Sequence, residues 1–527
     1  MPPAARPLSS SASATALTAY LDKGASLGAG AVCLSGPDRA MTYGEVQDHT
    51  YAVSEALARS GIAPGESVGI LSGNDVTAFA TVFGIARRGA VWCPINPRNS
   101  AEETRQLLDL FDCRCLLFHS AYAPLVAEIA PSLPKLTTLV CLDGPAAGAA
   151  DLTEWLAGRR VPDAAQSSPR GWAALVGTGG TTGLPRAVVL TERNLEAMTA
   201  LTLMGYPHQG RPAYLALAPL THAAGVLCFP IMALGGRIVV MPQPDVGEFL
   251  RLIESERITH TFLPPTMIYR LLDHEQAHAT DFSSLQCFWF GAAPMSPARL
   301  AQAVALMGPV MGQLYGQSEA PMMIAMLHPG DLVDDEGKVL ERRLTAAGRP
   351  GPLVTVAVMD GEGQLLPDGE RGEVVVRGSL VMLGYYKDPG ATAEVSRFGW
   401  HHTGDIGFLD DEGFLHIVDR AKDMIISGGF NVYSAEVEQA LMEHPAVADC
   451  AVIGLPDDTW GERVTAVLEL RPGMPLDPAE AIAFAKQRIG SVKAPKQVEI
   501  WPDLPRSKVG KILKGEVRKK AASQRAG

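Results

Sequence analysis

The sequence predicts an α/β protein of two or more domains, and three observations carry that reading. The chain has 527 residues, too many for one hydrophobic core. Through roughly the first three hundred residues, short apolar runs alternate with amphipathic helical patterns, as in parallel sheets covered by helices. After about Leu327 the texture changes to short β-rich runs broken by turns, and αβ alternation returns from Ser434.

In chain order, residues 67–71 read as a strand, residues 76–88 as a helix and residues 90–94 as a second strand. Residues 115–118 and 139–142 are further strand candidates. Residues 172–176 and 187–190 are apolar and strand-like, with a Gly/Thr-rich loop between them. Residues 354–358, 372–377 and 414–418 are β-rich, and Gly361-Glu-Gly363, Pro367-Asp-Gly369 and Asp411-Glu-Gly413 separate them as turns. These runs predict a small antiparallel unit, barrel-like or sheet-like. Ser434 is placed to cap a helix that Pro445 stops. A charge-free stretch over 214–236 is long enough to raise a membrane helix, but Pro219 and Pro230 would break its backbone bonding, so it reads as core.

Composition narrows the function. Hydrophobic residues make up 47% and charged residues 19% of the chain, ordinary for a large enzyme without an integral membrane segment. The net charge of -12, with no long basic stretch before the last forty residues, argues against nucleic acid as a partner. The eight cysteines are scattered, and Cys113-Arg114-Cys115 lacks the two-residue spacer of zinc or redox pairs. They read as reduced, mostly buried thiols of a cytoplasmic protein. The N-terminal residues have no apolar core of a secretory signal. Their Ser/Ala bias and Arg6 faintly suggest a transit peptide, and a frayed arm is the preferred reading.

The loop Gly177-Thr-Gly-Gly-Thr-Thr-Gly-Leu-Pro-Arg186 carries the first chemistry. Gly179, Gly180 and Gly183 let backbone N–H groups converge on an anion, Thr178, Thr181 and Thr182 add hydroxyls, and Arg186 adds a fixed charge suited to phosphate. No Gly-Lys-Ser/Thr ends it, which disfavours a P-loop NTPase. A plain hairpin turn is the competing reading.

Four more motifs follow in order: Tyr315-Gly-Gln-Ser-Glu319, Trp400-His-His-Thr-Gly-Asp405, the run from Asp419 to Gly429, and Pro505-Arg-Ser-Lys-Val-Gly-Lys511. From about Thr42 to Lys514 the chain resembles the adenylate-forming superfamily of acyl-CoA synthetases, luciferases and peptide-synthetase adenylation domains. Bacterial acyl-CoA and aryl-CoA ligases are the closest group. The resemblance implies a large N-terminal domain of two doubly wound sheets plus a small β-barrel, with a mobile α+β C-terminal lid. The implied boundaries are 1–418, with a β-rich part at about 328–418, a hinge at 419–423 and a lid at 424–527.

The resemblance also implies roles. Tyr315 of the motif Tyr315-Gly316 stacks on adenine, whose edge is read by Gln313 and by the backbone of Gly291, Ala292 and Ala293. Glu319 is the Mg²⁺ carboxylate, with Thr182 as a second metal contact, and Ser318 lies near the α-phosphate, although Ser318 also suits a helix cap. Asp405 takes the ribose hydroxyls and Arg420 a second ribose and phosphate contact. Their alternatives are a turn at Asp405 and a surface ion pair of Arg420 with Asp419. Lys511 is the cation that swings in for adenylation, and Lys422 is the hinge. Gly428 and Gly429 leave room for a pantetheine thiol, while Trp460, Lys493 and Lys496 fall where related ligases hold the CoA nucleotide. A Trp and two lysines fit a surface patch equally well. His222 matches a gate between acid and thiol channels, and a buried hydrogen-bonded histidine fits it as well. Val226, Met322 and Met323 are implied lining of the acid site, with no second cation nearby.

The loop departs from the family pattern Thr-Ser-Gly-Thr-Thr-Gly-x-Pro-Lys-Gly: Gly179 stands for the serine, Arg186 for the lysine and Ala187 for the glycine. The lost hydroxyl is worth about 1 kcal/mol of ATP binding. The expected activity is an ATP-dependent carboxylate–CoA ligase using Mg²⁺ and coenzyme A. Its expected substrate is an apolar monocarboxylic acid: medium-chain, alicyclic or aromatic. The alternatives are a stand-alone adenylating enzyme that loads a carrier protein, and a catalytically weak nucleotide-binding homologue. The oligomeric state stays open, a homodimer included.

Overall fold

The computed structural model describes residues 17–158, 168, 170–178, 185–220, 223–458, 460–507 and 512–524. Its first large sheet runs, edge to edge, Gly384–Tyr385, Arg186–Thr191, Trp172–Thr178, Val91–Ile95, Ser67–Leu71, Cys113–Phe118, Thr138–Cys141 and Ala150–Asp151. From Trp172–Thr178 onward neighbouring strands are parallel, whereas Arg186–Thr191 and Gly384–Tyr385 join antiparallel. Ser67–Leu71 and Val91–Ile95 are buried at every position, because the helix Val76–Arg87 packs on them and the helix Tyr43–Arg59 packs on that helix in turn. Capping sets where these helices begin: Thr42 with Glu45 forms a capping box, and Asp75 accepts from the Ala78 N–H.

The second sheet runs Arg349–Pro350, Ala320–Leu327, Met311–Gln317, Cys287–Gly291, His260–Leu263, Ala213–Ala216, Arg237–Val240, Val32–Ser35 and Ala40–Thr42. Along Cys287–Gly291, Cys287 and Trp289 enter one core while Phe288 and Phe290 enter another, the two-residue alternation of a strand buried on both faces. The strand ends at Gly291, on the carboxyl edge where ligands of such sheets gather.

The β-rich part is a four-stranded antiparallel sheet in the order Val354–Met359, Gly372–Gly378, His401–Leu409 and Leu415–Arg420. Its outer strands lie at opposite ends of the pairing path, so the expected barrel is here an open sheet. The C-terminal part has its own core and its own sheet of Phe430–Val432, Ile425–Ser427, Gly461–Leu470 and Val447–Asp457, with Gln497–Trp501 parallel to Gly461–Leu470.

Two local expectations change. Ser434 does not cap: Tyr433 is the cap residue, and Ser434 opens the helix Ser434–Met442 with its hydroxyl donating to Asp419. Pro230 does not break the apolar stretch, because it sits inside the helix Ala223–Ala233. Among the described residues no helix is long and apolar enough to cross a membrane. All eight cysteines are free and buried.

Candidate active site

The Gly/Thr loop joins Trp172–Thr178 to Arg186–Thr191, an antiparallel pair whose last register match is Thr178 with Arg186. Of the loop residues read from the sequence, Gly179, Gly180, Thr181, Thr182 and Gly183 lie outside the described residues, as do His222 and Lys511. At the rim, the Thr178 hydroxyl donates to the Arg186 carbonyl at 3.3 Å. Arg186 lies 5.2 Å from the Tyr385 ring centre and 3.9 Å from Asp388, and is about half exposed.

The second sheet carries Gly291 and Tyr315 on neighbouring parallel strands, with Phe290 opposite Gln313 and Gly291 opposite Leu314. Ala292 holds a left-handed φ of 69°, turning the chain sharply just past the strand. The Gln313 carbonyl is fixed by the Tyr206 hydroxyl at 2.6 Å. Ser318 and Glu319 form the turn between Met311–Gln317 and Ala320–Leu327, so Ser318 caps no helix. Gly316 is obligatory here, since a Cβ on it would lie 2.3 Å from the Met322 nitrogen.

Asp405 is the centre of the best-defined polar cluster. It lies within the strand His401–Leu409 rather than in a turn, with Arg420 its register partner on Leu415–Arg420. Tyr315 Oη donates to Asp405 Oδ2 at 2.7 Å, and Arg420 Nε stands 3.0 Å from Asp405 Oδ1. Arg420 therefore pairs with Asp405, while Asp419 turns away to accept from the Ser434 hydroxyl at 2.9 Å. The Asp405 N–H donates to Thr403 Oγ1, whose hydroxyl donates to the Val374 carbonyl. Burial, and then the Asp405 carboxylate, push the Tyr315 phenol well upward, so it stays a donor. Asp405 is 5% exposed, yet two donors fill only half of the roughly four lone-pair sites of a carboxylate.

Glu319 accepts from the Tyr385 hydroxyl at 2.7 Å through Oε1. Among the described residues no cluster of three or more His, Cys, Asp or Glu could hold a metal. Glu319 offers Mg²⁺ a carboxylate, which suits an ion that shares its shell with phosphates and water rather than with a protein cage.

In the C-terminal part the structure brings Gly428, Trp460 and Lys496 together. The Gly428 N–H donates to the Trp460 carbonyl at 2.8 Å, and Lys496 Nζ lies 5.6 Å from the indole centre. Gly428 has a φ of 59°, and a Cβ there would press on the indole at 3.0 Å. Gly429 follows, also with positive φ. Lys493 is drawn elsewhere, into a 2.5 Å ion pair with Glu436. Lys422 follows the Arg420 strand, with its amine pushed down by burial and then by Arg420. Of the acid-site residues, Val226 and Met322 are half-buried against the main core, and Met323 is fully buried in it.

Three features escaped the sequence reading. Tyr385 is one; only the Gly384-Tyr-Tyr-Lys-Asp-Pro389 turn hinted at it. The second is Gln317, whose amide lies 2.9 Å from His401 Nε2; burial pushes that imidazole down to about 4, so it accepts as a neutral ring. The third is a cluster around Lys514, which reaches Ser434 Oγ at 2.6 Å and Glu438 Oε1 at 2.7 Å.

The comparisons with known proteins show the family. The profile described as AMP-binding enzyme matches residues 21–386, and that described as AMP-binding enzyme C-terminal domain matches residues 436–511. The chain is 38% identical to a medium/long-chain-fatty-acid–CoA ligase of Mycobacterium tuberculosis, over 91% of this chain and 86% of that one. It is 36% identical to a feruloyl-CoA synthase of an Amycolatopsis species, over 91% and 94%. Among solved structures, the anthranilate CoA ligase in complex with anthranoyl-AMP superposes with a TM-score of 0.89 at 26% identity, over 98% of this chain and 99% of that one.

Proposed function

The chain belongs to the AMP-binding enzyme family, and from that premise we propose that it is an ATP-dependent carboxylate–CoA ligase. The observation that carries the proposal is the Tyr315–Asp405–Arg420 cluster beside the Gly/Thr hairpin and Glu319. Tyr315 offers an aromatic face and Asp405 a carboxylate suited to a diol, and the Gly/Thr hairpin is read as the anion-binding element. Similarity to ligases of fatty and aromatic acids supports the acceptor and the substrate range.

In the first step a carboxylate oxygen attacks the α-phosphorus of ATP, a C–O–P bond forms, and pyrophosphate leaves. The Gly/Thr loop and Arg186 hold the leaving phosphates, and Lys511 neutralises charge as two anions meet. Glu319 and Thr182 are the residues that would hold Mg²⁺, which would supply further charge neutralisation on the phosphates. In the second step the CoA thiol attacks the acyl carbon, its proton is lost, and AMP departs. Lys422 is the pivot that exchanges the Lys511 face of the residue 424–527 lid for the face carrying Gly428, Gly429 and Trp460. His222 is assigned as the gate between the acid and thiol channels. The half-buried Val226 and Met322, with Met323 behind them, suit an apolar monocarboxylic acid: medium-chain, alicyclic or aromatic.

Pyrophosphate release over a panel of such acids, with and without CoA, tests the assignment. Acyl-CoA formation is the expected outcome. Pyrophosphate without thioester would move the acceptor to a carrier protein, and no release with any acid would overturn the enzyme reading.

A further inference from the structure

The acid-bearing turn and the phosphate hairpin belong to different sheets, yet one short segment ties them together. The Glu319 carbonyl accepts from the Met382 N–H at 2.7 Å, and its carboxylate accepts from Tyr385 Oη at 2.7 Å. The same segment adds the strand Gly384–Tyr385 to the hairpin: Gly384 pairs with Val189 and Tyr385 with Val188, flanked by backbone bonds from Leu383 to Val189 and from Tyr386 to Ala187. The Arg186 guanidinium then packs over the Tyr385 ring, 5.2 Å from its centre, with Asp388 at 3.9 Å on the other side.

The segment is also fixed from behind. Tyr386 Oη donates to Asp112 at 2.6 Å, and Lys387 Nζ pairs with the same carboxylate at 2.8 Å. Asp388 accepts from the Ala391 N–H and starts the next helix. Tyr385 is itself buried.

We propose that Tyr385 is a positioning residue for the metal–nucleotide complex, setting the orientation of Glu319 through its hydroxyl and of Arg186 through its ring. This rests on the reading of Glu319 and Arg186 given above. One hydroxyl bond to a carboxylate selects which oxygen faces the metal, while the ring gives the arginine a flat surface to stack on. The family pattern has lysine at position 186, and a planar guanidinium gains from such stacking where a compact ammonium gains little. Tyr385 thereby accounts for how the most unorthodox residue of the loop is accommodated.

Calorimetric titration of the full chain with ATP, in the presence and absence of Mg²⁺, tests this without reading activity. Tyr385→Phe keeps the ring and removes the hydroxyl. It should weaken Mg·ATP binding about tenfold, as expected for one hydrogen bond to a charged group, and leave metal-free ATP binding unchanged. Tyr385→Leu removes the ring too and should weaken metal-free ATP as well. In a Glu319→Gln background, Tyr385→Phe should add nothing to the loss of Mg²⁺ dependence. Equal Mg²⁺ enhancement in wild type and Tyr385→Phe would overturn the proposal while leaving the nucleotide site intact. So would full additivity of the two substitutions. If wild type bound no ATP with or without Mg²⁺, the site reading would fall, and this inference with it.

Discussion

Replacing Asp405 by asparagine is the most direct test of what the central cluster is for. The substitution keeps size and shape but removes one acceptor oxygen and the charge. Tyr315 Oη, now 2.7 Å from Oδ2, can still donate to the amide oxygen. The Arg420 pair at 3.0 Å is lost, but Arg420 is half exposed, so that loss costs about 0–1 kcal/mol of stability. The loss on the nucleotide is larger. Two ribose hydroxyls that met a carboxylate would meet a neutral amide, and hydrogen bonds to charged groups are each worth about 1–1.5 kcal/mol more than neutral ones. The sum is about 2–3 kcal/mol, or roughly 30- to 150-fold in affinity at 1.4 kcal/mol per decade.

The assay is a thermodynamic cycle of two proteins and two ligands. ATP and 2′,3′-dideoxy-ATP are titrated against wild type and Asp405→Asn, with thermal unfolding followed alongside. Wild type should prefer ATP over the dideoxy analogue, and that preference should shrink by the factor above in the variant, which keeps only the neutral bonds. The argument is refuted if the two proteins show the same preference, because Asp405 would then contribute only to packing around Tyr315.

Three other outcomes are expected. Lys511→Ala should slow adenylation about 10²- to 10³-fold, the order seen when one charge-stabilising donor is lost, while thioester formation from supplied acyl-AMP survives; equal loss in both half-reactions would refute the two-faced lid. Gly316→Ala places a Cβ 2.3 Å from the Met322 nitrogen and 2.6 Å from its Cα, so overpacking of about 1–3 kcal/mol should appear in urea unfolding together with a weaker Mg·ATP complex; unchanged stability would show that the Met322 bulge yields freely. His260 is pushed from 6.5 down to about 3 by burial and then by His208, so the unfolded chain takes up a proton below pH 6.5 that the folded chain refuses. Its contribution is intact above pH 6.5 and is lost as the pH falls toward 3, at about 1.4 kcal/mol per unit, and His260→Gln should flatten that part of the urea-unfolding profile; an unchanged slope between pH 6.5 and 5 would refute it.

How much of this was legible in the sequence follows from the range of the interactions. Residues 67–71 and 76–88 were readable because apolar periodicity is local, and the observed Ser67–Leu71 and Val76–Arg87 agree closely. Pro230 was misjudged because helix Ala223–Ala233 lies in a dense core, where packing offsets one missing backbone bond. Ser434 was misjudged because cap preference is local, whereas Asp419, fifteen residues earlier, competes for its hydroxyl. The Arg420 partner was missed for a similar reason: Asp419 is adjacent in sequence, but on a strand adjacent side chains face opposite sides, and the register of His401–Leu409 delivers Asp405 instead.

The same reasoning explains why the loop alone was ambiguous. A Gly/Thr hairpin is defined by what faces it, and its partners come from three distant stretches: Tyr385 and Asp388 beside Arg186, Glu319 reaching Tyr385, and Asp405 tied to Tyr315. None of these pairings has a sequence period: Glu319–Tyr385 and Asp405–Tyr315 cross between sheets, and Arg186 meets Tyr385 on a neighbouring strand of one sheet that comes from far along the chain. Motif order could name the parts, since each motif is short and local. Their coupling is set by the strand Gly384–Tyr385, which lies some two hundred residues beyond the hairpin it completes. Removal of the Tyr385 ring and hydroxyl together should therefore disturb the proposed metal and phosphate contacts at once, although neither Glu319 nor the loop has changed.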